Sequence, residues 1–110
     1  MTDDDLRIDH ILNAIGKITD ATAGTREEFL ASVLKRDAVS YNFLVIGEAA
    51  NRISEATRAA HPDIPWKVII GMRNVLIHDY VQTDYKLVWE TARNDLPKLR
   101  AQLLAAKSSR

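Results

Sequence analysis

An arginine, a histidine and a tyrosine stand at relative positions 0, 5 and 7 within Met72-Arg73-Asn74-Val75-Leu76-Ile77-His78-Asp79-Tyr80. Arg73 carries a permanent positive charge on a planar fork that matches phosphate oxygens. His78 exchanges a proton near neutral pH without special tuning. Together they suit cleavage of a phosphodiester, and Tyr80 adds a hydroxyl open to modification. On an ideal helix with Arg73 at zero, Tyr80 falls at about −20°, Asn74 at about 100° and His78 at about 140°. Asn74 and His78 thus form an i, i+4 pair, whereas Arg73 and His78 do not stack directly. They converge on one phosphate only if the helix ends or distorts near His78, or if a second chain completes the site. The plainer alternative is a solvated helix face, with Arg73 paired to Glu48 or Asp79 and Tyr80 closing the rim of the core.

The rest of the chain must position these groups. At 110 residues it has room for one core and one domain, 1–110. Fifteen basic residues balance fifteen acidic ones, which excludes the global positive field of a nucleic-acid-coating protein. Any contact with a nucleic acid is therefore local, or built by two chains. The sequence holds no cysteine, so there is neither a disulfide framework nor a thiolate metal site. His10 and His61 stand outside any ligand pattern, and no metal or other cofactor is implied. An acidic start, Met1-Thr2-Asp3-Asp4-Asp5, and no apolar run near 18 residues predict a soluble, cytoplasmic chain without a membrane span.

The hydrophobic periodicity is helical almost throughout. Ile8, Ile11, Leu12, Ile15 and Ile18 make one helix face, with three aspartates at its N-terminus. After Gly24, Thr25 and Glu28 form a capping-box pair that opens a short second helix carrying Phe29, Leu30, Val33 and Leu34. A long third helix is predicted from about residue 37 to 60, striped by Val39, Phe43, Ile46, Ala50 and Ile53. Pro62 and Pro65 break the chain, and Pro65 suits the start of a fourth helix from Trp66 to about His78. A last segment carries Leu87, Val88, Leu96, Leu99 and Leu103, kinked or broken at Pro97, with residues 105–110 as a frayed tail. The expected fold is an all-α bundle of about five helices.

Three blocks fall in one register: Val45-Ile46-Gly47-Glu48-Ala49-Ala50, then Ile64-Pro65-Trp66, then Gly71-Met72-Arg73-Asn74 through His78-Asp79-Tyr80. With the later Val88-Trp89 and Asp95-Leu96-Pro97, they resemble the HepT-like branch of the HEPN superfamily. The resemblance implies a helical bundle that dimerises, with Arg-x-x-x-x-His-x-Tyr lining a shared cleft; assembly beyond the dimer stays open. It implies a metal-independent ribonuclease that acts as the toxin of a toxin–antitoxin pair. The implied antitoxin is a minimal, MntA-like nucleotidyltransferase that silences the toxin by transferring AMP to Tyr80.

The residues themselves give a matching chemistry. RNA supplies its own nucleophile, the 2′-hydroxyl, so His78 would serve as base or acid, Arg73 would stabilise charge on the phosphate, and Asn74 would orient the imidazole or bind a phosphate oxygen. The phenol of Tyr80, with an ordinary pKa of about 10, is a poor base and fits a regulatory role better. Glu48 has two readings: an i, i+4 pair with Arg52, or a support that orients Arg73. Gly47 suits close helix approach, and Trp66 suits the core or a dimer contact better than a base-stacking platform. Lys67, Arg52 and Arg58 are surface cations that could guide RNA. The alternative function is a non-catalytic HEPN-type partner or nucleotide-binding subunit of a nucleotidyltransferase, and a purely structural helical oligomer stands third.

Overall fold

The computed structural model describes residues 2–78 and 83–108, with side chains described for 2–73 and 83–107. Seven helices occur among the described residues: α1 (Asp3–Ala21), α2 (Arg26–Ala31), α3 (Val33–Asn51), α4 (Glu55–Ala60), α5 (Trp66–His78), α6 (Tyr85–Asn94) and α7 (Leu96–Ser108). No strand is present among these residues. The all-α expectation stands, and the count of about five is corrected to seven.

Helix α1 begins with a complete capping box. The Asp5 N–H donates to Thr2 Oγ1, and the Thr2 N–H donates back to Asp5 Oδ2, both at 3.1 Å. Its isoleucine face is fully buried and packs on α3, which in turn packs on α5. Helix α3 is therefore the central element, and α7 closes the bundle against α1 and α6. Gly24 makes the turn between α1 and α2 at φ 97°, a left-handed conformation that side-chain-bearing residues resist. Thr25 then accepts a hydrogen bond from the Glu28 N–H to start α2.

The expected third helix is in fact two. At the end of α3, Arg58 Nη2 donates to the carbonyls of Ala50 (3.2 Å) and Asn51 (2.8 Å), satisfying groups that a continuing helix would have used. At the start of α4, Asp4 receives the Ser54 N–H at 3.0 Å and the hydroxyls of Ser54 and Thr57 at 2.6 Å each. Both ends of the break are thus hydrogen-bonded, and Ile53 between them is buried.

Other expectations shift as well. Ser32 caps α3 through the Lys35 N–H, so Val33 and Leu34 belong to α3 rather than α2. Val33, Leu34 and Leu87 are largely exposed and contribute no core. The last segment divides at Asp95, which leaves Pro97 in the first turn of α7, where its missing N–H costs nothing. Helix α7 runs on to Ser108 and buries Ala106, so the frayed tail does not begin at 105. Lys107 forms an ion pair with Asp9 of α1. No helix of the described residues is long and apolar enough to cross a membrane.

Candidate active site

Helix α5 is anchored before it delivers Arg73. Trp66 is buried, and its indole Nε1–H donates to the His61 carbonyl at 3.0 Å. This makes Trp66 a core aromatic with a satisfied polar atom. Ile64 and Ile69 are buried beside it, which fixes the face of α5 that turns toward α3.

The two helices cross tightly at Gly47. A Cβ added there would lie 2.7 Å from Arg73 Cβ, 2.8 Å from Arg73 N and 3.0 Å from the Ile70 carbonyl oxygen. Two of these atoms are backbone and cannot swing aside, so the close crossing requires glycine. It sets the Cβ of Arg73 directly against α3. From there the guanidinium reaches Glu48, with Arg73 Nη1 3.5 Å from Glu48 Oε2. The Arg73 side chain is 28% exposed and that of Glu48 48%. A pair this open adds at most about 1 kcal/mol to stability. Its consequence is orientation: a cation held at one place on the surface and still accessible to an anion. Of the two readings of Glu48, the geometry shows the contact with Arg73.

Asn74 and His78 follow Arg73 on the backbone of α5. The helix is continuous through His78, so its backbone position stands five residues beyond Arg73, about 7.5 Å along the axis and about 140° around it. The side chains of Asn74 and His78, and all of Asp79 and Tyr80, lie outside the described residues. Arg58 is committed to the end of α3, and Lys67 lines a groove that Arg73 does not.

That groove is larger than a second one among the described residues. It has a volume of about 670 Å³ and runs between one face of α5 and the α6–α7 junction, with Lys67, Val68, Gly71, Asp95 and Lys98 in its walls. Arg73 is not among its lining residues. The smaller groove, about 300 Å³, lies between α1 and α3 and is walled by Arg7, His10, Tyr41, Leu44, Glu48 and Arg52. Glu48 is thus both the partner of Arg73 and one wall of the smaller groove. The motif-centred reading of the sequence did not include Arg7, His10 or Tyr41. Part of the signal was available, because Tyr41, Leu44, Glu48 and Arg52 recur at the 3–4 spacing of one face of α3.

The family model described as Ribonuclease HepT-like matches residues 11–106. The chain belongs to this family. Among its relatives, "Putative RNase TTE0752" of Caldanaerobacter subterraneus subsp. tengcongensis is 32% identical over 97 residues, covering 87% of each chain. "Putative RNase MJ1380" of Methanocaldococcus jannaschii is 38% identical over 76 residues, 69% of this chain and 70% of the relative. "Probable ribonuclease HepT" of Thermococcus cleftensis is 36% identical over 76 residues, 69% of each. No solved structure matches the chain. Within this HepT-like sequence, Arg73, His78 and Tyr80 keep the spacing Arg-x-x-x-x-His-x-Tyr.

Proposed function

We propose that this protein is a metal-independent endoribonuclease, the toxin of a toxin–antitoxin pair, and that Arg73 and His78 carry the reaction. The observation that carries the reading is the intact motif within a HepT-like family match over residues 11–106. It is supported by the Gly47 crossing, which holds Arg73 accessible beside Glu48.

In the proposed reaction the 2′-hydroxyl of the RNA loses its proton to a neutral imidazole and attacks the adjacent phosphorus. The 5′-oxygen leaves with a proton from an imidazolium. The products are a 2′,3′-cyclic phosphate and a 5′-hydroxyl, and because the nucleophile belongs to the RNA, no metal-bound water is required. Arg73 stabilises the charge that grows on the non-bridging oxygens. His78 fills one proton-transfer role, and Asn74 orients it or binds a phosphate oxygen. The angular separation along α5 favours a homodimer in which the second copy supplies the complementary histidine. Tyr80 is the regulatory residue: AMP transferred to its hydroxyl by a cognate nucleotidyltransferase places a bulky anion near Arg73 and blocks RNA.

The balanced charge of the chain favours one competing reading, a non-catalytic partner subunit of a nucleotidyltransferase. Purified protein incubated with RNA in EDTA separates the two. The expected result is cleavage with cyclic-phosphate ends, reduced about 10²–10⁴-fold in His78→Ala. Cleavage that needs a divalent ion and survives His78→Ala would overturn the mechanism. Loss of AMP incorporation in Tyr80→Phe tests the regulatory role.

A further inference from the structure

We propose that the smaller groove, between α1 and α3, is a subsite for a single-stranded RNA segment flanking the scissile phosphate. The base stacks on Tyr41, and Arg7 and Arg52 hold the backbone. The proposal rests on the ribonuclease reading for its substrate class, and the residues it assigns, Arg7, Tyr41 and Arg52, lie outside the Arg73–Tyr80 motif.

The first observation is continuity. Glu48 lines the groove and lies 3.5 Å from Arg73, so a strand whose phosphate sits on Arg73 meets the groove at once. Tyr41 is seven residues before Glu48 on α3, about 10 Å along the helix axis, a distance within a footprint of a few nucleotides.

The second is charge. The groove brings together Arg7, Arg52 and His10 against a single carboxylate, Glu48, which is already shared with Arg73. The ion pairs among the described residues are Arg26–Glu90, Arg73–Glu48 and Lys107–Asp9, and neither Arg7 nor Arg52 takes part in one. In a chain of zero formal net charge, this is a local excess of cation beside the candidate site. Arginine also suits phosphate better than lysine, because its fork donates two parallel hydrogen bonds.

The third is the aromatic. Tyr41 is 64% exposed and lies outside the core that holds Phe29 and Phe43. An exposed ring beside unpaired arginines is the combination by which single strands are bound without sequence preference. A volume of about 300 Å³ has room for one splayed nucleotide.

The test uses the His78→Ala protein, so that binding is read without turnover. Its affinity for a fluorescent single-stranded oligoribonucleotide is measured by anisotropy across a salt series, with the molecular mass of each variant followed by light scattering. Adding Tyr41→Ala should weaken binding about tenfold, while Tyr41→Phe keeps the ring and binds as the parent. Adding Arg7→Gln with Arg52→Gln should weaken binding and lower the salt slope by about one to two units. Lys98→Gln in the larger groove should bind as the parent. Unchanged affinity in the Tyr41→Ala and double-arginine variants overturns the subsite, as does a loss of affinity that appears only together with a change in molecular mass, which would assign the face to a second copy of the chain. If the His78-containing protein binds RNA through Tyr41 yet never cleaves it, the ribonuclease reading fails and the subsite stands.

Discussion

Two grooves among the described residues rank in opposite orders by size and by chemistry. The larger, about 670 Å³, sets Lys67 and Lys98 against Asp63 and Asp95, so its charges cancel. The smaller, about 300 Å³, gathers two arginines and a histidine around one carboxylate and adjoins Arg73. Volume alone would send a ligand to the groove that Arg73 does not adjoin. What distinguishes the smaller groove is uncompensated charge beside a cation whose place is set by a helix crossing.

A pair of glycines tests that distinction most severely. Gly47 supports the Arg73 side, where a Cβ would press on backbone atoms; Gly71 belongs to the larger groove, where a Cβ would meet nothing within 4 Å. Gly47→Ala should destabilise by about 1–3 kcal/mol through overpacking, lowering Tm by roughly 4–8 °C per kcal/mol for a domain of this size. Cleavage should fall with it as Arg73 is displaced. Gly71→Ala should instead hold or raise stability by about 0.5–1 kcal/mol, the ordinary helix preference for alanine. Thermal melts of the two variants side by side give the comparison, and equal effects would erase the contrast.

A smaller stability effect is expected at the split between α3 and α4. Asp4→Ala removes the acceptor of the Ser54 and Thr57 hydroxyls and of the Ser54 N–H, and should cost about 1–2 kcal/mol in a denaturant melt. Its effect on cleavage should be slight, because Arg73 is held elsewhere. Smallest in stability is Glu48→Gln, within about 1 kcal/mol of the parent because the pair is half-exposed. Its effect should appear in the rate, as a several-fold loss once Arg73 is no longer oriented. A large drop in Tm with unchanged turnover would reverse the role given to Glu48.

The sequence was informative where local rules decide the outcome. The isoleucine face of α1, the start of α5 after Pro65 and the division near Pro97 all follow from spacing and backbone chemistry. The end of α3 does not, because Asp4 lies fifty residues from the serine it caps and Arg58 folds back on carbonyls of the preceding helix. Apolar type likewise misplaced Val33, Leu34 and Leu87 in the core, since helical spacing gives a face but not which neighbour covers it. At the candidate site, the motif named Arg73, and Glu48 was one of two partners considered for it. Arg7 and His10 join the neighbourhood only through the packing of α1 on α3.

The central claim is that Arg73 and His78 make this chain a ribonuclease. The most direct test is cleavage of RNA in EDTA by the purified protein, with Arg73→Ala and His78→Ala measured beside it and the product ends identified. The expected result is 2′,3′-cyclic phosphate and 5′-hydroxyl ends from the parent and at least about a hundredfold loss in either variant. Equal cleavage by parent and variants, or none by any of them, would contradict it.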